Sequence, residues 1–287
     1  MNQTTWGRGV TVDSKLSRFS PLERIITFDD FDTGLNGWTA LIGNYEDSLD
    51  SMLPQYRDLR GPMLSNGTMW DTGSAGSWDG TYAMKLATRP QAGSLAVAVK
   101  RLTWRQLGAV QLEAYVTFKP EATQLRLSEQ DVRLFGFVFD LQDSRHRVMP
   151  HLRYVNAMAG ETVGRWQYKS DLESLEDIGG EGKTKSHFHL GPDGWVDLPG
   201  ERQLLCYNEI ATKQNWHYMR LLFDLSDMSF REFQFNDRSY DMSSVSPMVM
   251  PAMANLWCML NLVFFVQTDI DKRAFLSVDS VLLSGSF

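Results

Sequence analysis

Three stretches of this chain alternate apolar and polar residues with a period of two, and that period limits the fold more than any other feature. They are Leu134-Phe135-Gly136-Phe137-Val138-Phe139-Asp140, Met219-Arg220-Leu221-Leu222-Phe223-Asp224 and Ser229-Phe230-Arg231-Glu232-Phe233-Gln234-Phe235. Successive side chains of an extended strand point to opposite faces, so each stretch reads as a half-buried β-strand. Turn formers punctuate the runs: Asn66-Gly67, Asp79-Gly80, Gly179-Gly180-Glu181-Gly182, Pro192-Asp193-Gly194 and Asn236-Asp237. Residues 218–241 read as a hairpin turning at Asp224-Leu225-Ser226-Asp227. Helical periodicity is scarce, with room for one short helix in Glu121 to Val132 and another in Lys169 to Ile178. The expected class is all-β, an antiparallel two-sheet sandwich with few short helices.

With 287 residues, 43% of them hydrophobic and 12% aromatic, the chain can bury a large core, and one domain over 1–287 is the expected count. Residues 1–24 would form an N-terminal arm and the Gly- and charge-rich 169–200 a long loop. A net charge of −7 argues against nucleic-acid or anionic-membrane partners, which reward clustered Lys and Arg. No segment reaches the about 18–20 apolar residues that span a bilayer, and no basic-then-apolar leader opens the chain, so a cytoplasmic location is expected. Cys206 and Cys258 lie in apolar runs and read as small hydrophobes before they read as a disulfide.

Three separated pieces form a frame: Asp32-Thr33-Gly34-Leu35-Asn36-Gly37-Trp38, Gly80-Thr81-Tyr82-Ala83-Met84-Lys85-Leu86 and Ser277-Val278-Asp279-Ser280-Val281-Leu282. The frame resembles the jelly-roll carbohydrate-binding modules of the concanavalin A-like lectin and glucanase superfamily. Trp216 to Asn236-Asp237 is similar to the paired strands of laminin-G-type sandwiches. The resemblance implies that first and last strands lie side by side. It also implies a structural calcium held by Asp32, Asp279 and the carbonyls of Gly80 and Thr81, hard oxygens of the kind such an ion prefers. The alternative is that these acids cap turns.

Function in such sandwiches resides on a concave sheet face. Alternation turns Phe135, Phe137 and Phe139, then Met219, Leu221 and Phe223, then Phe233 and Phe235 inward. The opposite set would be Asp140, Gln142, His151, Arg153, Arg165, Gln167, Tyr218, Arg220, Glu232 and Gln234, with Trp166 and Tyr168 beside it. Carboxylates, amides and arginines grip hydroxyls, and aromatics stack on apolar ring faces, so the expected partner is a carbohydrate. The alternative is a solvated face with cross-strand pairs such as Arg220 with Glu232.

As a hydrolase the groove would use Asp140 and Glu232, since glycosidases need two carboxyls at a set separation. As a lyase it would use His151 or Tyr218 as base, with Arg153 and Gln167 neutralising a uronate carboxylate. A non-catalytic sugar-binding module is the alternative. A structural subunit is another, with Leu256 to Val266 as an edge pairing with a second copy in a homo-oligomer. Further patterns are weaker. His187-Phe188-His189 lacks the acid of a cupin site, Gly182-Lys183-Thr184 lacks the upstream Gly of a phosphate loop, and no Gly-x-Ser-x-Gly elbow occurs. Trp70 or Trp78 would rim the groove and stack on a sugar, or equally plug the end of the core.

Overall fold

The computed structural model describes residues 14–41, 60–66, 76–121, 130–170, 191, 194–205, 214–250 and 252–287. Two antiparallel sheets pack face to face. The front sheet runs β14 (Arg238–Asp241), β13 (Ser229–Phe235), β12 (His217–Asp224), β6 (Ala109–Pro120), β17 (Ala274–Ser286), β4 (Met84–Ala87) and β3 (Met63–Leu64), with β1 (Arg24–Asp29) also on β17. The back sheet runs β11 (Trp195–Asp197), β10 (Glu161–Lys169), β9 (His151–Met158), β7 (Val132–Gln142), β16 (Met259–Thr268), β5 (Leu95–Lys100) and β2 (Trp38–Ala40). A side pair, β8 (Arg147–Met149) and β15 (Met248–Met250), extends β7.

The residues predicted to point inward do so. Phe135, Phe137 and Phe139 meet the front sheet through contacts such as Phe118 with Phe135, Phe137 with Phe233 and Phe139 with Phe223. The expected hairpin exists as β12 and β13, and Asn236-Asp237 turns the chain into β14. Arg231 is an extra residue opposite the Leu222–Phe223 step, a bulge that lets Phe230 and Phe233 both face the core.

First and last strands are neighbours, as the frame implied. One edge of β17 pairs along its length with β6, while its other edge is shared. Residues 275–278 pair with β4, and 281–285 pair with β1. Where the two partners meet, β17 bulges at Asp279-Ser280, and Ser280 takes a left-handed φ of 51°. Asp29 ends β1 with a buried carboxylate that receives the Lys100 ammonium at 2.6 Å and Trp38 Nε1–H at 2.9 Å, linking front sheet to back.

Several expectations change. Leu256 to Val266 contains no edge: β16 is interior, flanked by β7 and β5, which is why its side chains are apolar on both faces. Of the two helical windows, Val132 opens β7 and Lys169 closes β10. Glu121, Gln130, Asp131 and Ser170 are not helical, and 122–129 and 171–178 lie outside the described residues, as do His187, His189, Lys183, Trp70 and Cys206. The one described helix is a 3-10 turn, Ser14–Arg18, in the expected arm. Within the expected long loop, Trp195–Asp197 pairs with β10 as β11. Cys258 is buried and free. Among the described residues no helix is long and apolar enough to cross a membrane.

Candidate carbohydrate face

The twelve groove residues do not form one face. Strands β7, β9 and β10 belong to the back sheet and β12 and β13 to the front. In a sandwich the two outward faces point in opposite directions, so Asp140, Gln142, His151, Arg153, Arg165 and Gln167 lie on one side of the molecule. Tyr218, Arg220, Glu232 and Gln234 lie on the other. Alternation assigns each side chain to a face of its own strand; only the strand order tells which sheet that face belongs to.

The back set is mostly engaged. Asp140 forms a two-point ion pair with Arg147, Nε to Oδ1 at 2.9 Å and Nη2 to Oδ2 at 3.0 Å. The buried Gln142 amide clips the loop that leads into β16, accepting from Met253 N–H and donating to the carbonyls of Met253 and Leu256. His151 is fully buried against the edge of Trp195, with its Nδ1 at the Met149 carbonyl. Burial pushes its pKa down to about 3, and Lys169 adds to that, so the ring is neutral at every ordinary pH. Trp166 and Tyr168 point the other way. Trp166 is in the core and donates to Gln203 Oε1, and Tyr168 packs against the core. Between these groups a second apolar cluster, including Val97, Val138, Val263 and Phe265, buries the middle of the back sheet's outer face.

The front set is joined by residues the initial reading missed. β6 alternates Val110, Leu112, Ala114, Val116 and Phe118 inward with Gln111, Glu113, Tyr115, Thr117 and Lys119 outward. That pattern is as regular as those of β7 and β12 and was legible in sequence. Register places Tyr115 beside Tyr218 and Glu113 beside Arg220, with Gln234 next across β12. Trp78 lies nearly parallel on Tyr115, centroids 4.7 Å apart at 15°, and is 44% exposed. Trp216 stands 6.5 Å from Trp78, and Tyr218 5.6 Å from Tyr115. Beside this aromatic step, Glu232 is paired with Arg220, and Gln234 is half-buried.

Glu113 anchors the step from beneath. Although it is on the outward side of β6 it has no exposure, because residues 14–20 cross over it. Its carboxylate accepts from Ser20 N–H at 2.9 Å, Tyr218 O–H at 2.6 Å and Gln111 Nε2 at 3.0 Å. Burial and that hydrogen bond raise the Tyr218 pKa, so Tyr218 stays a donor and cannot serve as a base near neutral pH. Phe19 of the same crossing segment packs on Tyr115 and Phe28.

The predicted calcium ligands gather at the β17 bulge, but nitrogen donors already occupy them. Asp32 Oδ1 accepts from Thr81 N–H at 2.5 Å and Tyr82 N–H at 3.2 Å, and Oδ2 from the Lys15 ammonium at 3.1 Å. Asp279 Oδ2 accepts from Trp78 N–H at 2.7 Å and Asp79 N–H at 3.1 Å, and Oδ1 from Ser280 N–H. The Gly80 carbonyl accepts from Ser77 Oγ–H. Lys15 also binds Asp30 at 2.6 Å, and Arg18 binds Asp79 at 2.5 Å. Calcium needs about six to eight oxygens turned toward one point. Here amide protons and two basic side chains face the carboxylates, so the arrangement does not fit that ion. Among the described residues no three His, Cys, Asp or Glu groups are placed to hold a metal. Burial tends to raise Asp32, yet the two amides and Lys15 outweigh it and hold its pKa below the ordinary value. Asp279 goes the other way: burial, with Asp32 adding to it, outweighs its three amide donors and pushes it up to about 7.

The backbone is similar to several solved structures. Over 91% of this chain and 97% of that one it resembles the cellulose-induced protein Cip1, at 10% identity and a TM-score of 0.42. The CBM2 module of the evolved Dit of Lactobacillus casei BL23 phage J-1 is similar over 92% and 96%, at 11% identity and a TM-score of 0.40. The potassium-bound carbohydrate recognition domain of Emp46p is similar over 79% and 89%, at 11% and 0.39. No curated protein matches the sequence. A family profile matches residues 8–287, nearly the whole chain, and the chain belongs to that family, described as Domain of unknown function (DUF6772).

Proposed function

We propose that this protein binds a carbohydrate on the outer face of the front sheet, one sugar ring lying against the exposed side of Trp78. The observation that carries this reading is the indole itself. A large apolar ring, nearly half exposed, is fixed in orientation by stacking on Tyr115, with Trp216 and Tyr218 continuing the step. Rigid aromatic surface suits the apolar face of a pyranose, and Arg220, Glu232 and Gln234 on the adjoining strands supply hydroxyl partners.

Binding without turnover is the better supported form. The two glutamates of this face are committed, Glu113 to three donors under the crossing segment and Glu232 to Arg220. Asp140, the other half of the hydrolytic pair, is in the opposite sheet, and the lyase cast of His151, Arg153, Gln167 and Tyr218 is divided in the same way. The test is calorimetric titration with cello-, xylo-, manno- and galacto-oligosaccharides. At least one series should bind the wild type, and Trp78→Ala should weaken it about tenfold or more with little change in melting temperature. A wild type that binds none of them, or a Trp78→Ala variant that binds equally well, overturns the reading.

A further inference from the structure

The outer face of the back sheet holds a buried arginine that forms no ion pair with any described residue. Arg153 is 9% exposed. Its Nε donates to Gln167 Oε1 at 2.8 Å, and its guanidinium lies 3.9 Å from the centre of the Trp195 indole. Gln167 is held in turn by Asp197 Oδ1 at 2.8 Å. The neighbouring arginines have partners: Arg133 bonds Asp269 at 2.9 Å, and Arg165 lies 3.7 Å from Asp197. Among the described residues no carboxylate comes within ion-pair distance of Arg153.

That state is costly. A buried charge is ordinarily kept with a counter-charge, because attraction must offset the hydration it loses. Burial, and Arg133 nearby, pull the Arg153 pKa down to about 9, against a smaller upward pull from Asp197. Nothing in the core requires a cation here, since the β9 neighbours Leu152 and Tyr154 supply the inward packing. Gln167 and Trp195 instead orient the guanidinium, one holding its Nε and the other covering a face. What remains is the edge formed by the two Nη groups, a planar pair of donors matched to the two oxygens of a carboxylate.

We infer that Arg153 is the anchor of a binding site for an organic carboxylate, with Trp195 as its floor and Arg165 at its margin. The site is on the opposite side of the sandwich from Trp78, so either can fail without the other.

The experiment is titration calorimetry on the full chain with sodium acetate, D-glucuronate, the uncharged D-glucuronamide and inorganic phosphate at matched ionic strength. Acetate or glucuronate should bind and the amide should not. Binding of both acids assigns a bare carboxylate, and binding of glucuronate alone assigns a sugar acid. Arg153→Met, which keeps the stem and removes the charge, should abolish binding without loss of thermal stability. Arg153→Lys, which keeps the charge and removes the Nη edge, should weaken it about tenfold; if the Met variant does not fold, this one carries the comparison. Trp78→Ala should leave it unchanged. Equal binding of acid and amide, phosphate binding alone, no binding at all, or unchanged affinity in the Arg153 variants each overturns the assignment.

Discussion

Replacing Asp29 by Asn tests how the two sheets are locked together. The carboxylate is 3% exposed and takes the Lys100 ammonium on both oxygens, at 2.8 and 2.6 Å, and the Trp38 indole N–H at 2.9 Å. Asparagine keeps the shape and one acceptor but leaves Lys100, 7% exposed, with neutral acceptors only, the Asn36 carbonyl at 3.1 Å among them. Breaking one side of a buried pair costs about 3–5 kcal/mol, because the survivor is a charge stranded away from water. For a chain of this size that corresponds to a fall in melting temperature of roughly 10 °C. Lys100→Met alone should cost a similar amount by stranding Asp29. Combining Asp29→Asn with Lys100→Met removes both charges and should recover much of the loss, giving a coupling energy above about 2 kcal/mol. Urea unfolding followed by tryptophan fluorescence measures all four proteins. An Asp29→Asn variant within about 1 kcal/mol of wild type, or a double variant whose loss equals the sum of the singles, would refute the reasoning.

Two further perturbations address the β17 bulge. Asp279 titrates at about 7 in the folded chain, above the about 3.9 of an unfolded aspartate, so between those values the folded state holds a proton that the unfolded state has released. Its contribution is full below about pH 4 and is lost as pH rises toward 7, at up to about 1.4 kcal/mol per pH unit, and Asp279→Asn should remove that decline. Unfolding curves with the same slope in both proteins over that window would show the assignment to be wrong. Gly80→Ala places a Cβ on the Asp32 carboxylate at a residue with φ +73°, and should cost about 2 kcal/mol or more by strain and by displacing Asp32 from its amides. A melting temperature equal to wild type would contradict that contact.

Facing within each strand was readable from sequence because it is a local property: Phe135, Phe137 and Phe139 had to share a side whatever the topology. The frame was readable because its pieces only cohere if β1 and β17 adjoin. The groove was not, since sheet membership depends on pairings between distant residues, such as Tyr115 with Tyr218, that no local pattern encodes. Glu113 was missed for a simpler reason: the alternation of β6 was there, but a glutamate on an outward face reads as solvated until the 14–20 segment is seen lying across it. Asp32 and Asp279 were correctly brought together, and the resemblance then supplied a metal where this chain places Lys15 and backbone amides.

The shared edge of β17 also sets an order of events. Among the described residues β1 pairs only with the last strand, Arg24 opposite Gly285 and Asp29 opposite Val281, and β4 and β6 are joined only through that same strand, which lies between them. During synthesis the residues that begin the sandwich must therefore wait, unpaired, until residue 285 has left the ribosome. The hairpin β12–β13 and the β9–β10 pair can form early from nearby residues, whereas closing the front sheet demands a loop spanning nearly the whole chain. Emergence of β17 should thus be the step at which this fold becomes cooperative, and the exposed edge of β6 before that step is where misassembly would begin.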